Sequence, residues 1–361
     1  MQDLIQKINF PSTRYQGSKR KILPWLYDNF RDIEFNTVLD ACGGTGSVSY
    51  LLKKMGKSVT YNDVLKFNHL IGKALIENQN VLVNNDDVNF VLDFNNGNEK
   101  SGFIEKTFQD FYYTDEENKW LDNVISRINI LQGINQDETE IKKAMCFYAL
   151  FQSSLRKRPF NLFHRKNLYI RTNDVERNFG NKTTWEKEFT SEFKFFINEV
   201  NQATFDSNTV CNSINESVFD IENVDFDLVY FDVPYITANG TNETSDYLRC
   251  YHFLEGITDY NKWEDRIDYN TKNLRFKRAE ESNPFSKQNI FNSLDLLFKK
   301  YQNCILVFSY KVGGIPSVDE IIELMSRYKD NVSLKEKHYI YALNKQNGNA
   351  KYNREVVIIG V

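Results

Sequence analysis

The stretch NTVLDACGGTGSVSYLLKKMG, residues 36–56, decides the fold. Asn36 to Ala41 reads as a short apolar strand. Gly43, Gly44 and Gly46 follow at once, and Ser47 onward has helical periodicity with Gly56 as its stop. KSVTYND (57–63) then reads as a second strand ending at Asp63, and VLKFNHLIGKALIEN (64–78) as a second helix. Strand–helix–strand with short connections opens a doubly wound α/β sheet. Further strands are expected at NTVCNSI (208–214), FDLVYFD (226–232) and NCILVFSY (303–310), the last preceded by the helical QNIFNSLDLLFKKY (288–301). VSLKEKHYIYAL (332–343) and REVVIIGV (354–361) flank a turn-rich segment and predict a C-terminal β-hairpin. Residues 81–207 are polar and aromatic, with a helical run at EIKKAMCFYALFQSSL (140–155). The expectation is one α/β domain from residues 1–80 and 208–361, a largely helical insertion at 81–207 before the fourth strand, and a smaller insertion at 237–286.

Composition sets limits. A chain of 361 residues with 41% hydrophobic and 26% charged residues has enough apolar material for a large core. A net charge of −4 carries no global signal for nucleic acid, so any basic surface is local. Five cysteines, odd in number and without CxxC spacing, argue for a reducing compartment and against a disulfide framework or a zinc site. The start, MQDLIQKINF, lacks a signal-peptide pattern, and no stretch reaches membrane-span length. A cytoplasmic protein without a metal is expected.

The glycine loop nearly matches a dinucleotide fingerprint, but Ser49 replaces its last glycine. A tight turn without ligand is the plain alternative. Asp40 at the strand end favours a cationic, amino acid-like group, because it repels a pyrophosphate. Asp63 suits either a ribose diol or a helix N-cap. Together these features suit S-adenosylmethionine. RYQGSKRKILPWL (14–26) sets Arg14, Lys19, Arg20 and Lys21 around Gly17, which fits a solvated face or a ligand lid.

DLVYFDVPYI (227–236) runs a buried strand into Asp232, Val233, Pro234 and Tyr235. Read as structure, it is a proline-stiffened turn. Read as chemistry, it fits an exocyclic amino group on a nucleobase. Asp232 and the Val233 carbonyl each accept one N–H, aiming the nitrogen lone pair at a methyl donor, while Tyr235 stacks on the extruded base. No metal is needed. RKRPFNLFHRKNLYIR (156–171) carries six basic residues and no acidic one. Its basic side chains suit phosphates and its aromatics suit bases. Lys272, Arg275, Lys277 and Arg278 form a weaker basic cluster.

In order, RYQGSK, DACGGTG, YND and DVPY resemble the alpha-class N6-adenine-specific DNA methyltransferases, the DPPY-type amino-methyltransferases of type II restriction-modification systems. YHFLEGITDYNKW (251–263) and REVVIIGV are similar to stretches of the same family, so the resemblance spans nearly the whole chain. It implies a Rossmann-like methyltransferase fold, with residues 81–207 as target-recognition region. The implied reaction is methyl transfer from S-adenosyl-L-methionine (AdoMet) to the 6-amino group of adenine in a short duplex site, with base flipping. Carried over by position, Tyr15 and Lys19 fall in the lid motif, and Asp40, Cys42, Gly44 and Gly46 in the cofactor loop. Asp63 falls on the ribose carboxylate, and Asp232, Val233, Pro234 and Tyr235 on the catalytic motif. Arg156, Lys157, Arg158, Phe160, Arg165, Lys166 and Arg171 are the expected DNA contacts. The implied partner is double-stranded DNA, met by a monomer, and a cognate restriction endonuclease stays open. Two positions depart from the pattern: Cys42 stands for phenylalanine, and Val233 for the first proline of DPPY. A catalytically impaired homologue that binds cofactor and DNA is therefore the alternative, and a nucleotide-dependent oxidoreductase rests on the near-fingerprint alone.

Overall fold

A computed structural model of the protein describes residues 10, 11, 14, 15, 17–94, 102–173, 182–237, 246–277, 283–338 and 354–361. Among them, β1 (Thr37–Asp40), β2 (Ser58–Asn62), β3 (Asn212–Ile214), β4 (Leu228–Phe231), β6 (Ile305–Lys311), β8 (Val332–His338) and β9 (Arg354–Gly360) build one sheet in the order β3-β2-β1-β4-β6-β9-β8. The first five are parallel, and β9 runs antiparallel to both β6 and β8. A two-stranded ribbon joins β5 (Ile236–Thr237) to β7 (Gly314–Ile315). The mixed, mostly parallel sheet is the expected one. The turn between β8 and β9 lies outside the described residues, as does Arg278.

Strand alternation explains why both faces of the sheet are apolar. Val38, Tyr230 and Val307 join a core on one face, whereas Leu39, Val229, Phe231, Leu306 and Phe308 join a second core on the other. Central parallel strands covered on both faces read as unbroken apolar runs, which is why DLVYF shows no polar alternation. Helices α1 (Leu23–Phe30) and α2 (Ser47–Lys54) cover the first face through Leu26, Phe30, Leu51 and Leu52. On the second face, Ile290–Lys300 and Val318–Met325 contribute Leu294, Leu297, Phe298, Ile321 and Leu324.

The backbone leaves the sheet after β2 and its helix Lys66–Gly72, and returns at β3. The departure precedes Asn212–Ile214, the third strand in sequence order rather than the fourth; that strand lies within the stretch 208–214 expected as a strand and pairs with β2 at the sheet edge. Between these points Gln136–Arg156 forms a helix buried almost continuously from Ala144 to Leu155, with Phe189–Ala203 packed against it. The later excursion is fastened to the same body. Phe253 stacks on Phe163 at 4.8 Å, Asn273 Nδ2 donates to Phe163 O, and both Glu255 oxygens accept from the backbone at the start of the Lys66–Gly72 helix. No described helix is long and apolar enough to cross a membrane.

Candidate active site

Strand order brings three carboxylates to one place. β2, β1 and β4 are neighbours, and Asp40, Asp63 and Asp232 stand at or just beyond their carboxyl ends. The backbone winds from β1 toward β2 on one side and reaches β4 on the other, so the ends of β1 and β4 flank the crevice where doubly wound sheets take ligands. Burial at this crevice pushes Asp40 up to about 7 and Asp63 up to about 6. For Asp40, the Ser49 hydrogen bond opposes that rise, and repulsion from Asp232 and Asp63 adds to it.

The glycine loop has a different reason for each glycine. Gly44 (φ 52°) and Gly46 (φ 72°) occupy the left-handed region. Gly43 is needed because a Cβ there would sit 2.1 Å from the Tyr61 ring, whose hydroxyl donates to Gly44 O at 2.7 Å. Asn62 braces the turn from below, accepting from Gly43 N and donating to Ala41 O. Ser49, the departure from the dinucleotide fingerprint, donates to Asp40 Oδ2 at 2.6 Å. Asp40 Oδ1 is buried without a hydrogen-bond partner among the described residues. Asp63 accepts from Gly44 N and from Leu65 N, so it caps the following turn and clamps the glycine loop together. Cys42 is half-buried in the midst of this, and burial followed by repulsion from Asp63, Asp40 and Asp232 pushes its thiol well up, keeping it neutral.

The Tyr15 side chain lies over the loop. Tyr15 stacks on Tyr251 at 4.6 Å and accepts from Asn68 Nδ2, and its ring is 3.5 Å from where a Cβ on Gly44 would be. Tyr247 also stacks on Tyr15, at 5.6 Å. Lys19, expected near the cofactor, instead pairs its ammonium with Asp232 Oδ1 at 2.9 Å. Burial would lower Lys19, but Asp232 and Glu355 outweigh it and hold the ammonium charged. Burial raises Asp232, against the pull of Lys19. Val233 packs its side chain into the second core, and its backbone carbonyl makes no hydrogen bond among the described residues. Beyond Tyr235, whose ring meets Tyr310 edge-on at 5.3 Å, the β5–β7 ribbon anchors the turn.

With that geometry in place, the family model for D12 class N6 adenine-specific DNA methyltransferase matches residues 15–252, a span that includes Tyr15, the glycine loop and the Asp232 turn. The chain belongs to that family. It is therefore an adenine-specific DNA methyltransferase, whose substrate is DNA and whose methyl donor is AdoMet. Type II methyltransferase M2.HphI from Haemophilus parahaemolyticus is 26% identical over 356 residues, covering 97% of this protein and 98% of that one.

The basic run of this methyltransferase is placed differently from the sequence expectation. Lys157, Arg158 and Arg171 are turned inward. Lys157 and Arg171 both pair with Glu117, at 2.8 and 2.6 Å. Arg158, 1% exposed, donates to the carbonyls of Leu162 and Arg165 and lies 4.5 Å over the Tyr112 ring. Arg156 pairs with Glu192 at 3.0 Å. These four side chains fasten the loop to the helical body, Arg156, Lys157 and Arg171 through carboxylates and Arg158 through backbone carbonyls, so they are turned away from the phosphate contacts expected of them. Arg165, Lys166 and Tyr169 are exposed, and so is His164. The Phe160 side chain lies outside the described residues. In the later excursion Lys272 is exposed, and Lys277 donates to Asp265 O.

Sequence reasoning missed Asn62, Tyr247, Tyr251 and Glu355, and it missed the Lys19–Asp232 pair. Only Asn62, one residue before Asp63, carried a local signal. The others reach the crevice through the tertiary fold from distant segments.

Proposed function

We propose that this methyltransferase modifies adenine within a specific short duplex sequence, with the target base rotated out of the helix into the crevice between β1 and β4. The observation that carries this reading is the turn at Asp232. One carboxylate oxygen is engaged by Lys19, and the neighbouring Val233 carbonyl is unengaged among the described residues. Asp232 Oδ2 and that carbonyl each accept one N–H of the adenine amino group. Accepting both protons draws the nitrogen toward tetrahedral geometry and localises its lone pair, which in free adenine is delocalised into the ring. Tyr235 stacks on the base. Burial raises Asp232 and Lys19 opposes that rise, so the ion pair favours the ionised carboxylate, the form that accepts the amino N–H. Valine offers the same backbone oxygen as proline, so the DVPY turn retains the acceptor the chemistry needs.

The residues on the other side of the crevice fit the cofactor. The buried Oδ1 of Asp40, without a partner among the described residues, suits an ammonium group, and the left-handed glycines let a ligand approach the backbone. Asp63 holds the loop and offers its remaining lone pairs to a ribose diol. When bound, AdoMet supplies a methyl group on a positively charged sulfur, and three carboxylates around it favour that charge.

For DNA, Arg165 and Lys166 are the exposed cations of the 156–171 loop, with Tyr169 beside them, and Lys272 extends the surface. The test is sequencing of DNA from a host expressing the protein, with modified bases called. N6-methyladenine confined to one short motif supports the proposal. DNA without methyladenine, or methylated regardless of sequence, overturns it.

A further inference from the structure

Glu355 lies in REVVIIGV, a stretch to which no site role has been given so far. It is the second residue of β9, paired in register with Lys311 of β6 and Lys337 of β8, and it is 2% exposed. Its Oε2 lies 3.9 Å from Lys19 Nζ and accepts no hydrogen bond among the described residues. Burial raises the Glu355 carboxyl, and Lys19 and Lys311 offset that only in part; a buried carboxylate without a hydrogen bond to this oxygen costs the fold more than an apolar residue would. A group placed that way has a use in the site.

Lys19 is buried. It begins a four-residue 3₁₀ turn, Lys19–Ile22, and its side chain reaches Asp232 through four rotatable bonds. We propose that Glu355 is a positioning residue: its carboxylate, on the far side of β6 from Asp232, draws the Lys19 ammonium across the end of β6 and keeps it on Asp232 Oδ1, so that Oδ2 is the oxygen turned to the substrate amino group. This rests on the reading of Asp232 as the catalytic carboxylate. The charged and titratable groups that face the pair are Asp232, Lys311, Tyr230 and Tyr235, with Lys337 beside Glu355 in register.

The sign of a pH effect separates positioning from simple charge. If Glu355 acts only as a nearby negative charge, removing it lowers the Asp232 pKa, and the acid limb of kcat/KM moves to lower pH. If Glu355 holds Lys19 in place, removing it lets the ammonium drift. Asp232 then loses its cation, and the acid limb moves to higher pH.

The experiment compares wild type, E355Q, E355D, K19Q, the E355Q/K19Q double variant and D232A in methyl transfer to duplex DNA, with Tm recorded for each. For E355Q we expect kcat lower by about tenfold, KM for AdoMet within about twofold, and an acid limb raised by about half a pH unit or more. Its Tm should be unchanged or higher, because a costly buried charge is gone. E355D, which keeps the charge, should recover most of the rate, and adding E355Q to K19Q should cost nothing further. An acid limb that moves down or stays put, an E355D as slow as E355Q, losses that multiply in the double variant, or an E355Q that melts early or does not fold would each overturn the proposal. D232A reports separately on the catalytic reading: if it keeps its activity, that reading fails whatever E355Q does.

Discussion

Acidification should weaken AdoMet binding through one side chain, Asp40, and the size of the effect follows from its surroundings. Burial holds Asp40 at about 7, well above an ordinary carboxylate, and its Oδ1 has no partner among the described residues. Only the ionised form pairs with an ammonium group. With a pKa of about 7, the ionised fraction falls from about nine-tenths at pH 8 to about one-tenth at pH 6, so affinity should fall about tenfold over that range. Asp63, at about 6, steepens the fall below pH 6. Titration calorimetry without DNA measures this free of turnover. Run at pH 6 in buffers of different ionisation enthalpy, it should report close to one proton released per AdoMet bound. Asp40→Asn should bind about tenfold to a hundredfold more weakly at pH 8, the loss of one charge-assisted hydrogen bond. It should also release no proton at pH 6 beyond the Asp63 contribution. The same shift acts on the free protein with opposite sign. A raised carboxylate pKa means that the folded state binds more protons than the unfolded one between about pH 4 and 7, so this group's contribution to stability falls as pH rises through that window. Asp40→Asn should therefore raise Tm at pH 8. Wild-type affinity that stays flat from pH 8 to pH 6, or an Asn variant indistinguishable from wild type, would refute the assignment of Asp40 to the ammonium group.

Further outcomes follow from the packing. Arg165→Ala with Lys166→Ala should weaken DNA binding and lower the salt slope by about two, read by fluorescence anisotropy across a salt series. In the same assay Arg158→Ala should leave the slope nearly unchanged; it should instead destabilise the protein by about 2–4 kcal/mol in denaturant unfolding, because it removes a buried cation from its carbonyls and its ring. Gly43→Ala should cost about 1–3 kcal/mol by forcing the fully buried Tyr61 ring aside, with AdoMet binding lost in proportion; an Ala variant as stable as wild type would contradict the packing reason for that glycine. Val233→Pro should keep or raise the transfer rate, since the backbone oxygen survives and the turn stiffens, and a complete loss of rate would show that the valine N–H or its seat in the core is required.

The parts of the fold legible in the sequence were those set by local chemistry. Residues 36–63 revealed strand, glycine loop, helix and strand because hydrophobic period and glycine placement are short-range signals. Asp40, Asp63 and Asp232 were legible for the same reason, each being the acid that ends an apolar run. The basic run was misleading because charge along a sequence shows nothing of the partner across space. Glu117 stands about forty residues before Lys157 in another helix, and Glu192 lies in a third. Lys19 was read through its neighbours in sequence, whereas its place is fixed by Asp232 and Glu355, which arrive on β4 and β9. Ser49 looked like a flaw in a fingerprint. It is the hydroxyl that binds Asp40.

Single-turnover methyl transfer by Asp232→Asn, with saturating AdoMet and a duplex carrying the target motif unmethylated, is the most direct measurement of the central claim. The variant keeps the shape of the side chain but loses the acceptor charge that Lys19 holds in place. The transfer rate should fall by about a hundredfold or more, with AdoMet affinity changed by no more than about threefold. A variant that transfers methyl at the wild-type rate, or whose loss lies wholly in cofactor binding, would contradict it.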